Sequence, residues 1–177
     1  VMHSHVQGHN AFDTFPFCDV YVHLDGDDWL MDENVLDRLC SVYLSEDVWA
    51  TYGDYVATDG TPSICNDWDW SKPARHAIRS GWPFSHLRSF RSFLWGELEI
   101  DDLVDAGGKY YSSACDVAIM SPILELCGKH RVKRIRIPLY VYNKGNPLNE
   151  HTHHLWDQVR CALDIAQKPH RHRLNRL

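Results

Sequence analysis

The feature that most constrains this chain is an acidic turn that directly follows a short apolar strand. In Asp19–Leu24, apolar and polar side chains alternate, which predicts a β-strand. Gly26 ends this strand, and the carboxylates of Asp25, Asp27 and Asp28 fall within four residues. Carboxylates this close repel one another unless a positive charge lies between them, and Mg²⁺ or Mn²⁺ binds oxygen ligands of this kind. The alternative interpretation is a solvated acidic turn before the next helix.

Length and composition describe a globular chain of one domain's size. With 177 residues, of which 44% are hydrophobic and 24% charged, residues 1–177 are enough to bury a core as a single domain. No apolar run approaches the ~18 residues of a transmembrane helix. The six cysteines are scattered without a C-x-x-C pair, which argues against a cysteine-based zinc site and favours reduced thiols in a cytoplasmic protein.

The charge is distributed unevenly along the chain. Residues 1–70 contain 14 acidic residues and one basic residue, which gives a net charge of −13. Residues 71–177 contain 10 acidic and 17 basic residues, which gives a net charge of +7. The acidic half suits a metal ion, and the basic half suits phosphate or another anionic partner. No pattern indicates a nucleic-acid partner. Three histidines within residues 3–9 are interpreted as mobile terminal residues, with metal binding as the alternative.

Helical and strand patterns alternate, which predicts the α/β class. Residues 32–44 have the spacing of a helix, whose buried face is predicted to contain Val35, Leu36, Leu39, Val42 and Tyr43. The other predicted elements are a strand at 48–56, a loop crossing a face of the fold at 62–83, a strand running into a helix at 84–95, a strand at 134–143, a helix at 155–167 and a basic tail at 168–177.

A further predicted helix covers residues 116–127 and contains a proline. Asp116 at its start is expected to cap the helix, Pro122 to kink or open its first turns, and Gly128 to end it.

Several sequence blocks, in this order, resemble the inverting family 2 glycosyltransferases of the GT-A fold, and more narrowly a bacterial and viral subgroup of that family. The blocks are L-D-G-D-D-W, V-W-A-T-Y-G, S-H-L-R-S-F-R, G-K-Y-Y-S-S-A-C-D-V-A-I-M-S-P-I-L-E-L-C-G, L-Y-V-Y-N-K-G-N-P-L-N-E-H and Q-K-P, which together extend over about residues 19–169. The resemblance implies a GT-A-type mixed sheet flanked by helices. It also implies transfer of a sugar from a nucleotide-diphospho-sugar donor to a hydroxyl of an acceptor glycan, lipid or protein.

The resemblance also implies roles for individual residues. Asp25, Asp27 and Asp28 match the turn that binds Mn²⁺ or Mg²⁺ and the donor, with Asp27 as the direct ligand, and Asp116 takes the place of the catalytic base. His151 lies where the family brings a histidine towards the metal or the diphosphate. The residues that match donor- or acceptor-binding segments are Asp25, Trp29, His86, Arg88 and Asn146.

The chain departs from the family pattern in three ways. Cys115 stands where the family usually has Glu before the catalytic Asp, which leaves Asp116 as the candidate base. The Q-x-x-R-W signature of processive synthases is absent, so transfer of one sugar per encounter is expected. Only 24 residues precede Asp25, where the family places two βα units that bind the base, so we expect an N-terminally truncated domain corresponding to the C-terminal two-thirds of the fold.

The chemistry of sugar transfer requires these residue types, but each has a structural alternative. A carboxylate must accept the proton of the attacking hydroxyl, and a divalent cation stabilises the leaving diphosphate. Against this, Asp116 can be a helix cap, His151 can belong to a solvated loop, and Arg88 can form a surface ion pair. An aspartyl phosphatase would need Thr or Val where Trp29 stands, and a calcium loop would need Gly where Leu30 stands. A non-catalytic sugar- or protein-binding remnant of a transferase is the second function considered.

Overall fold

The computed structural model describes residues 19–146 and 155–175, which fold as a mixed α/β structure with helices against a five-stranded sheet. The strands are β1 (Val20–His23), β2 (Trp29–Leu30), β3 (Ala50–Ala57), β4 (Arg88–Arg91) and β5 (Val132–Tyr142). The α-helices are α1 (Val35–Ser45), α2 (Ile100–Leu103), α3 (Cys115–Cys127) and α4 (Leu155–Ile165). Short 3₁₀ helices cover Ala74–Ser80, Ser92–Glu97 and Lys129–Arg131.

The sheet has the strand order β1-β4-β3-β5-β2, with β3 and β5 at its centre. These two strands pair in parallel, whereas the β1–β4, β3–β4 and β2–β5 pairs are antiparallel. The short strands β1 and β2, which flank the acidic turn, therefore lie at opposite edges of the sheet. His23, the last residue of β1, pairs with Arg88 of β4, so the chain enters the turn beside that arginine.

The pairing of the two central strands changes register partway along. Gly53 of β3 pairs with Ile135 of β5, but Tyr55, two residues later, pairs with Tyr140, five residues later. β5 therefore contains three more residues than β3 over this interval, including Pro138. A proline has no N–H to donate to a neighbouring strand, and an irregularity of this kind is where a central strand tolerates it.

Each face of the sheet carries its own apolar core. On one face, Ala50 and Tyr52 of β3 pack with Met120, Ile123 and Leu124 of α3. On the other face, Tyr55 and Tyr140 pack with a separate cluster that includes Val35, Leu39 and Tyr43 of α1. The alternation of side chains along β3 supplies both cores, because successive residues of a strand point to opposite faces.

The predicted helix at 32–44 forms as α1, but its buried face is narrower than expected. Val35, Leu39 and Tyr43, spaced four residues apart, are buried, whereas Leu36 is 50% exposed. The prediction that Leu36 is buried is therefore wrong. Leu36 lies about 100° around the helix from Val35, beyond the narrow stripe that packs against the sheet.

The helix predicted at 116–127 forms as α3, but two details of its prediction are wrong. Its N-cap is Ala114, which has a left-handed backbone (φ 55°), and Asp116 lies inside the first turn. Pro122 lies in the middle of a helix that is continuous from Cys115 to Cys127, so the proline does not open the first turns. Gly128 ends the helix as predicted, with φ 64°, a conformation that glycine adopts without steric cost.

The remaining predictions for the described residues are close to the structure. Residues 62–83 are a connection, as predicted, except for the 3₁₀ turn Ala74–Ser80. Among the described cysteines, Cys65, Cys127 and Cys161 are buried, Cys40 is exposed and Cys115 is intermediate. None of the helices in the described ranges has both the length and the apolar character needed to cross a membrane.

The basic C-terminal segment packs against the fold through a buried ion pair beneath it. Arg75 and Glu125 form a salt bridge of 2.8 Å, and each side chain is 2% exposed. The backbone N–H of Arg171 donates to the same carboxylate at 2.8 Å, and the Arg171 side chain pairs with Glu99 and Asp102. Removing one partner of a buried ion pair leaves a charge without compensation. The loop at 62–83, α3 and the tail are therefore joined at Glu125.

We expect Arg75→Met to lower the free energy of unfolding by about 3–5 kcal/mol, because it leaves the buried Glu125 carboxylate without its counter-charge. Denaturant titration measures this loss. The double variant Arg75→Met/Glu125→Leu should recover much of it, since both charges are then absent. Arg38→Met, which breaks the exposed Arg38–Asp32 pair, is the matched control and should change stability little. Equal losses of stability in Arg75→Met and Arg38→Met would contradict the role assigned to Glu125.

Candidate functional site

The candidate site is built around the guanidinium group of Arg88, the first residue of β4. Its side chain is 3% exposed, and its Nη1 donates a hydrogen bond to Oδ2 of Asp116 in the first turn of α3. Its Nη2 lies 4.0 Å from Oδ2 of Asp25 in the acidic turn. One buried cation thus lies between two carboxylates that are 91 residues apart in sequence. The hypothesis that Arg88 forms a surface pair is wrong, because its side chain is buried.

His86 lies between Arg88 and the aromatic residues of β5. Its ring stacks on Tyr140, with centroids 4.5 Å apart and planes 18° apart, and more loosely on Tyr142. Arg88 Nη2 lies 3.1 Å from Nδ1 of His86, and because arginine can only donate, Nδ1 accepts. The proton of the neutral imidazole is then on Nε2. Asp25 Oδ2 is 3.8 Å from the same Nδ1, so His86, Arg88 and Asp25 meet at one point.

The acidic turn is held in place by β5. The hydroxyl of Tyr140 donates to Asp28 Oδ2 at 2.6 Å and accepts from the backbone N–H of Asp25 at 3.2 Å. The backbone N–H of Asn143 donates to Asp28 Oδ1 at 2.7 Å. Burial raises the pKa of Tyr140, so the hydroxyl keeps its proton at neutral pH and remains a donor.

The other predicted site residues lie beside this hydrogen-bonded cluster or outside it. Asn146 donates from Nδ2 to Asp27 Oδ2, so this predicted binding residue lies beside the acidic turn. Trp29 is 47% exposed on β2, opposite Val141, next in sequence to Asp28 but outside the hydrogen-bonded cluster just described. His151 lies outside the described residues.

The pKa values of the carboxylates in the site are shifted in different directions by burial and by neighbouring charges. Burial, together with the charges of Asp116, Asp28 and Asp27, raises the pKa of Asp25, although Arg88 acts in the opposite direction. Burial also raises the pKa of Asp28, against its hydrogen bonds from Tyr140 and Asn143.

Asp116 shows the reverse shift. Burial works against its ionisation, but the charge of Arg88 outweighs that effect, and the pKa of Asp116 lies below its ordinary value. Asp116 is therefore ionised at neutral pH, and 34% of its side chain remains exposed. A partly exposed, ionised carboxylate held by a buried arginine can accept a hydrogen bond or a proton from a ligand.

The donor atoms of the turn suit a hard cation, but their side chains diverge. Asp25 points towards His86 and Arg88, Asp27 towards Asn146, and Asp28 towards Tyr140. Within residues 19–146 and 155–175, no group of three or more His, Cys, Asp or Glu side chains is arranged to hold a metal ion. Carboxylate oxygens are the ligands that Mg²⁺ and Mn²⁺ prefer, so the residue types fit such an ion. In the structure, each of the three carboxylates is instead paired with a different partner.

Sequence reasoning missed the contribution of Tyr140 and Asn143 to the site. Both follow the irregular part of β5, where the change of register decides which face each side chain occupies. The available signal was the pair Tyr140 and Tyr142, two aromatic residues at strand spacing just before Asn143. That spacing places both rings on one face, where they meet His86.

A scan against protein-family models finds no match to this chain, and a search of curated proteins finds no similar protein.

The opposed pKa shifts predict a specific dependence of stability on pH. A raised carboxyl pKa gives a contribution that is fully present below the ordinary value of 3.8 and is lost as pH rises through the folded-state value. Asp25→Asn should therefore raise the melting temperature near pH 7, and the difference from the unmodified chain should shrink towards pH 4. Because 46% of the Asp25 side chain is exposed, solvent screening makes this effect smaller than for a buried acid.

Asp105→Asn is the control of opposite sign. The backbone N–H of Lys109 and that of Gly107 lower the pKa of Asp105, so its contribution is present above 3.8 and is lost as pH falls. Melting curves between about pH 4 and about pH 7 should therefore show opposite trends for the two variants. A destabilised Asp25→Asn variant at pH 7 would contradict the view that burial and the neighbouring carboxylates disfavour the ionised form of Asp25.

Proposed function

We propose that this chain is a metal-dependent inverting glycosyltransferase that moves one sugar from a nucleotide-diphospho-sugar to an acceptor hydroxyl. The observation that carries the proposal is the meeting of Asp116 with the acidic turn through Arg88. Asp116 and Asp25 were each assigned a role from a separate sequence block, and Arg88 contacts both in the folded chain. A transferase requires a base and a donor-binding turn within one substrate's length of each other.

In this proposal Asp116 is the catalytic base. Its lowered pKa keeps it ionised at neutral pH, as a proton acceptor must be, and its exposed fraction leaves room for the acceptor hydroxyl. As the hydroxyl oxygen forms its bond to the anomeric carbon, its proton passes to Asp116, and the bond from that carbon to the diphosphate oxygen breaks. Arg88 holds the Asp116 carboxylate in place and also lowers its basicity, which limits the driving force for proton transfer.

The proposed cofactor is Mn²⁺ or Mg²⁺, which would be held by Asp27 together with Asp25 and Asp28. When bound, this cation stabilises the negative charge that develops on the departing nucleoside diphosphate. The support lies in the local charge, because burial raises the pKa of Asp25 and the negative charges of Asp116, Asp28 and Asp27 raise it further, against the opposing effect of Arg88. His86 and Asn146 border the same space and are proposed to contact the donor or the acceptor.

The proposal extends to the fold family. The mixed sheet, the acidic turn after β1 and the helix that carries Asp116 support the proposal of a GT-A-type domain within the α/β class. The acceptor is a glycan, a lipid or a protein with a free hydroxyl.

A non-catalytic sugar- or protein-binding remnant is the second candidate function, and one observation favours it. The Asp116 carboxylate is engaged by a buried arginine, as expected of a carboxylate that fixes α3 to the sheet. A remnant would bind a sugar nucleotide without turning it over. The two functions therefore differ in transfer or hydrolysis rather than in binding.

Asp116→Asn separates the two functions. The amide keeps the size of the side chain but cannot accept the proton, so we expect the transfer rate to fall by roughly 10²-fold or more, with donor affinity retained. Stability should also fall, because Arg88 loses the counter-charge nearest to it. Rates are measured with a panel of sugar nucleotides and Mn²⁺ at a temperature at which the variant remains folded.

Asp54→Asn is the matched control for Asp116→Asn. Asp54 pairs with the mostly buried Arg134 outside the site, at 3.0 Å, so this variant removes a comparable counter-charge without touching the proposed base. It should lose stability but keep its rate. If Asp116→Asn keeps the full rate, Asp116 is only a structural partner of Arg88. Binding without turnover by the unmodified chain would favour the remnant.

Asp27→Ala tests the proposed cation site. The variant should lose Mn²⁺-dependent donor binding while remaining folded, because the substitution removes a charged ligand from a turn and relieves repulsion there. Calorimetric titration of the donor with and without Mn²⁺ measures the effect. Asp37→Ala, at an exposed position in the first turn of α1, is the control and should bind as the unmodified chain does. Metal-dependent binding that persists in a folded Asp27→Ala variant would exclude Asp27 as a ligand.

A further inference from the structure

Helix α4 carries an apolar stripe that faces away from the fold. The stripe consists of Leu155, Trp156, Val159 and Leu163, which are 52%, 85%, 40% and 47% exposed. Residues 155, 159 and 163 follow one another at four-residue spacing, and Trp156 lies beside them, so the four side chains share one face of the helix. A contiguous exposed apolar patch on a helix marks an interaction surface.

The orientation of the stripe is fixed by the opposite face of the same helix. Cys161 and Ile165 are buried and pack with Tyr111, Ala114 and Val117 at the start of α3. The Tyr111 hydroxyl also donates to the Asp164 carboxylate, which fastens the C-terminal half of α4. The helix cannot turn its stripe inwards without withdrawing Cys161 and Ile165 from this core.

An exposed cation that can contact an anionic surface borders the stripe. Arg160 lies one turn after Trp156, and 66% of its side chain is exposed, so it borders the stripe. The acidic residues of α4 are partly compensated, since Asp157 lies 3.8 Å from Arg160 and Asp164 accepts the bond from Tyr111.

The size of the stripe favours a membrane surface over a protein partner. A stable protein interface buries about 800 Å² on each partner and involves some 20–30 residues a side. Four side chains on one helix fall far short of that. An interfacial helix needs only an apolar face that enters the boundary between headgroups and acyl chains, with cations at its edge and a Trp at the interface.

We infer that α4 is a membrane-docking helix that lies on an anionic phospholipid bilayer, with Leu155, Trp156, Val159 and Leu163 entering the interface and Arg160 contacting lipid phosphates. The inference does not depend on the proposed sugar transfer. Docking would orient the chain on the lipid surface with the start of α3, which packs against α4, close to the bilayer. Asp116 lies in that first turn of α3.

Co-sedimentation of the full chain with vesicles tests the inference. The unmodified chain should bind vesicles that mix phosphatidylcholine and phosphatidylserine, and should bind pure phosphatidylcholine more weakly. The double variant Trp156→Ser/Leu163→Ser should reduce the partition coefficient at least about tenfold, because it removes two apolar side chains from the stripe. Both positions are exposed, so the melting temperature should not change.

Two further variants identify the surface. Among the described residues, Leu44 on α1 has the most exposed large apolar side chain, at 88%, and Leu44→Ser should leave binding unchanged. Arg160→Glu should weaken binding to the anionic vesicles and reduce its dependence on salt, with little effect on pure phosphatidylcholine.

Four results would overturn the inference. The first is failure of the unmodified chain to bind the anionic vesicles, and the second is binding that the double variant retains. The third is an equal loss of binding in Leu44→Ser, which would indicate nonspecific adsorption. The fourth is a dimer in sedimentation velocity that Trp156→Ser/Leu163→Ser abolishes, which would assign the stripe to a second copy of the chain.

Discussion

A guanidinium group removed from water must be surrounded by compensating charges, and the arrangement at Arg88 follows from this requirement. Asp116 supplies the closest carboxylate and Asp25 a more distant one, while His86 accepts one of the N–H bonds. These partners come from α3, from the turn after β1 and from the segment before β4. Compensating the charge of one buried cation therefore fixes the relative positions of three parts of the chain.

Two arginines, Arg75 and Arg88, are buried in the described part of the chain, and they illustrate different uses of the same chemistry. Arg75 and Glu125 are sealed from solvent on both sides, and the backbone of Arg171 completes the coordination of that carboxylate. At the other end of α3, Arg88 is equally buried, but a third of its partner Asp116 remains open to solvent. The first pair can only hold elements together. The second presents an ionised oxygen to any molecule that reaches the acidic turn, at the cost of crowding the carboxylates around it.

The sequence was informative where local periodicity determines the outcome. Spacing along the chain identified α1, α3, α4 and the central strands, and the cluster of acidic residues after β1 marked the turn that the site contains. It failed where the outcome depends on contacts between distant residues. Asp116 had the position and residue type of a helix cap, but its carboxylate bonds to Arg88, which local pattern does not reveal. Tyr140 was missed for the same reason, because its role is set by its partners in the turn.

The irregular pairing between β3 and β5 has a consequence for how this chain tolerates changes in length. Had the pairing that joins Gly53 to Ile135 continued without interruption, Tyr55 would lie opposite Ile137. The three additional residues bring Tyr140 to that position, and because three is an odd number they also exchange the two faces of the strand. Deleting or inserting one residue between 136 and 139 would turn Tyr140 and Tyr142 away from His86 and the acidic turn. Substitutions in this segment keep the two faces as they are, so its length is under stronger constraint than its composition.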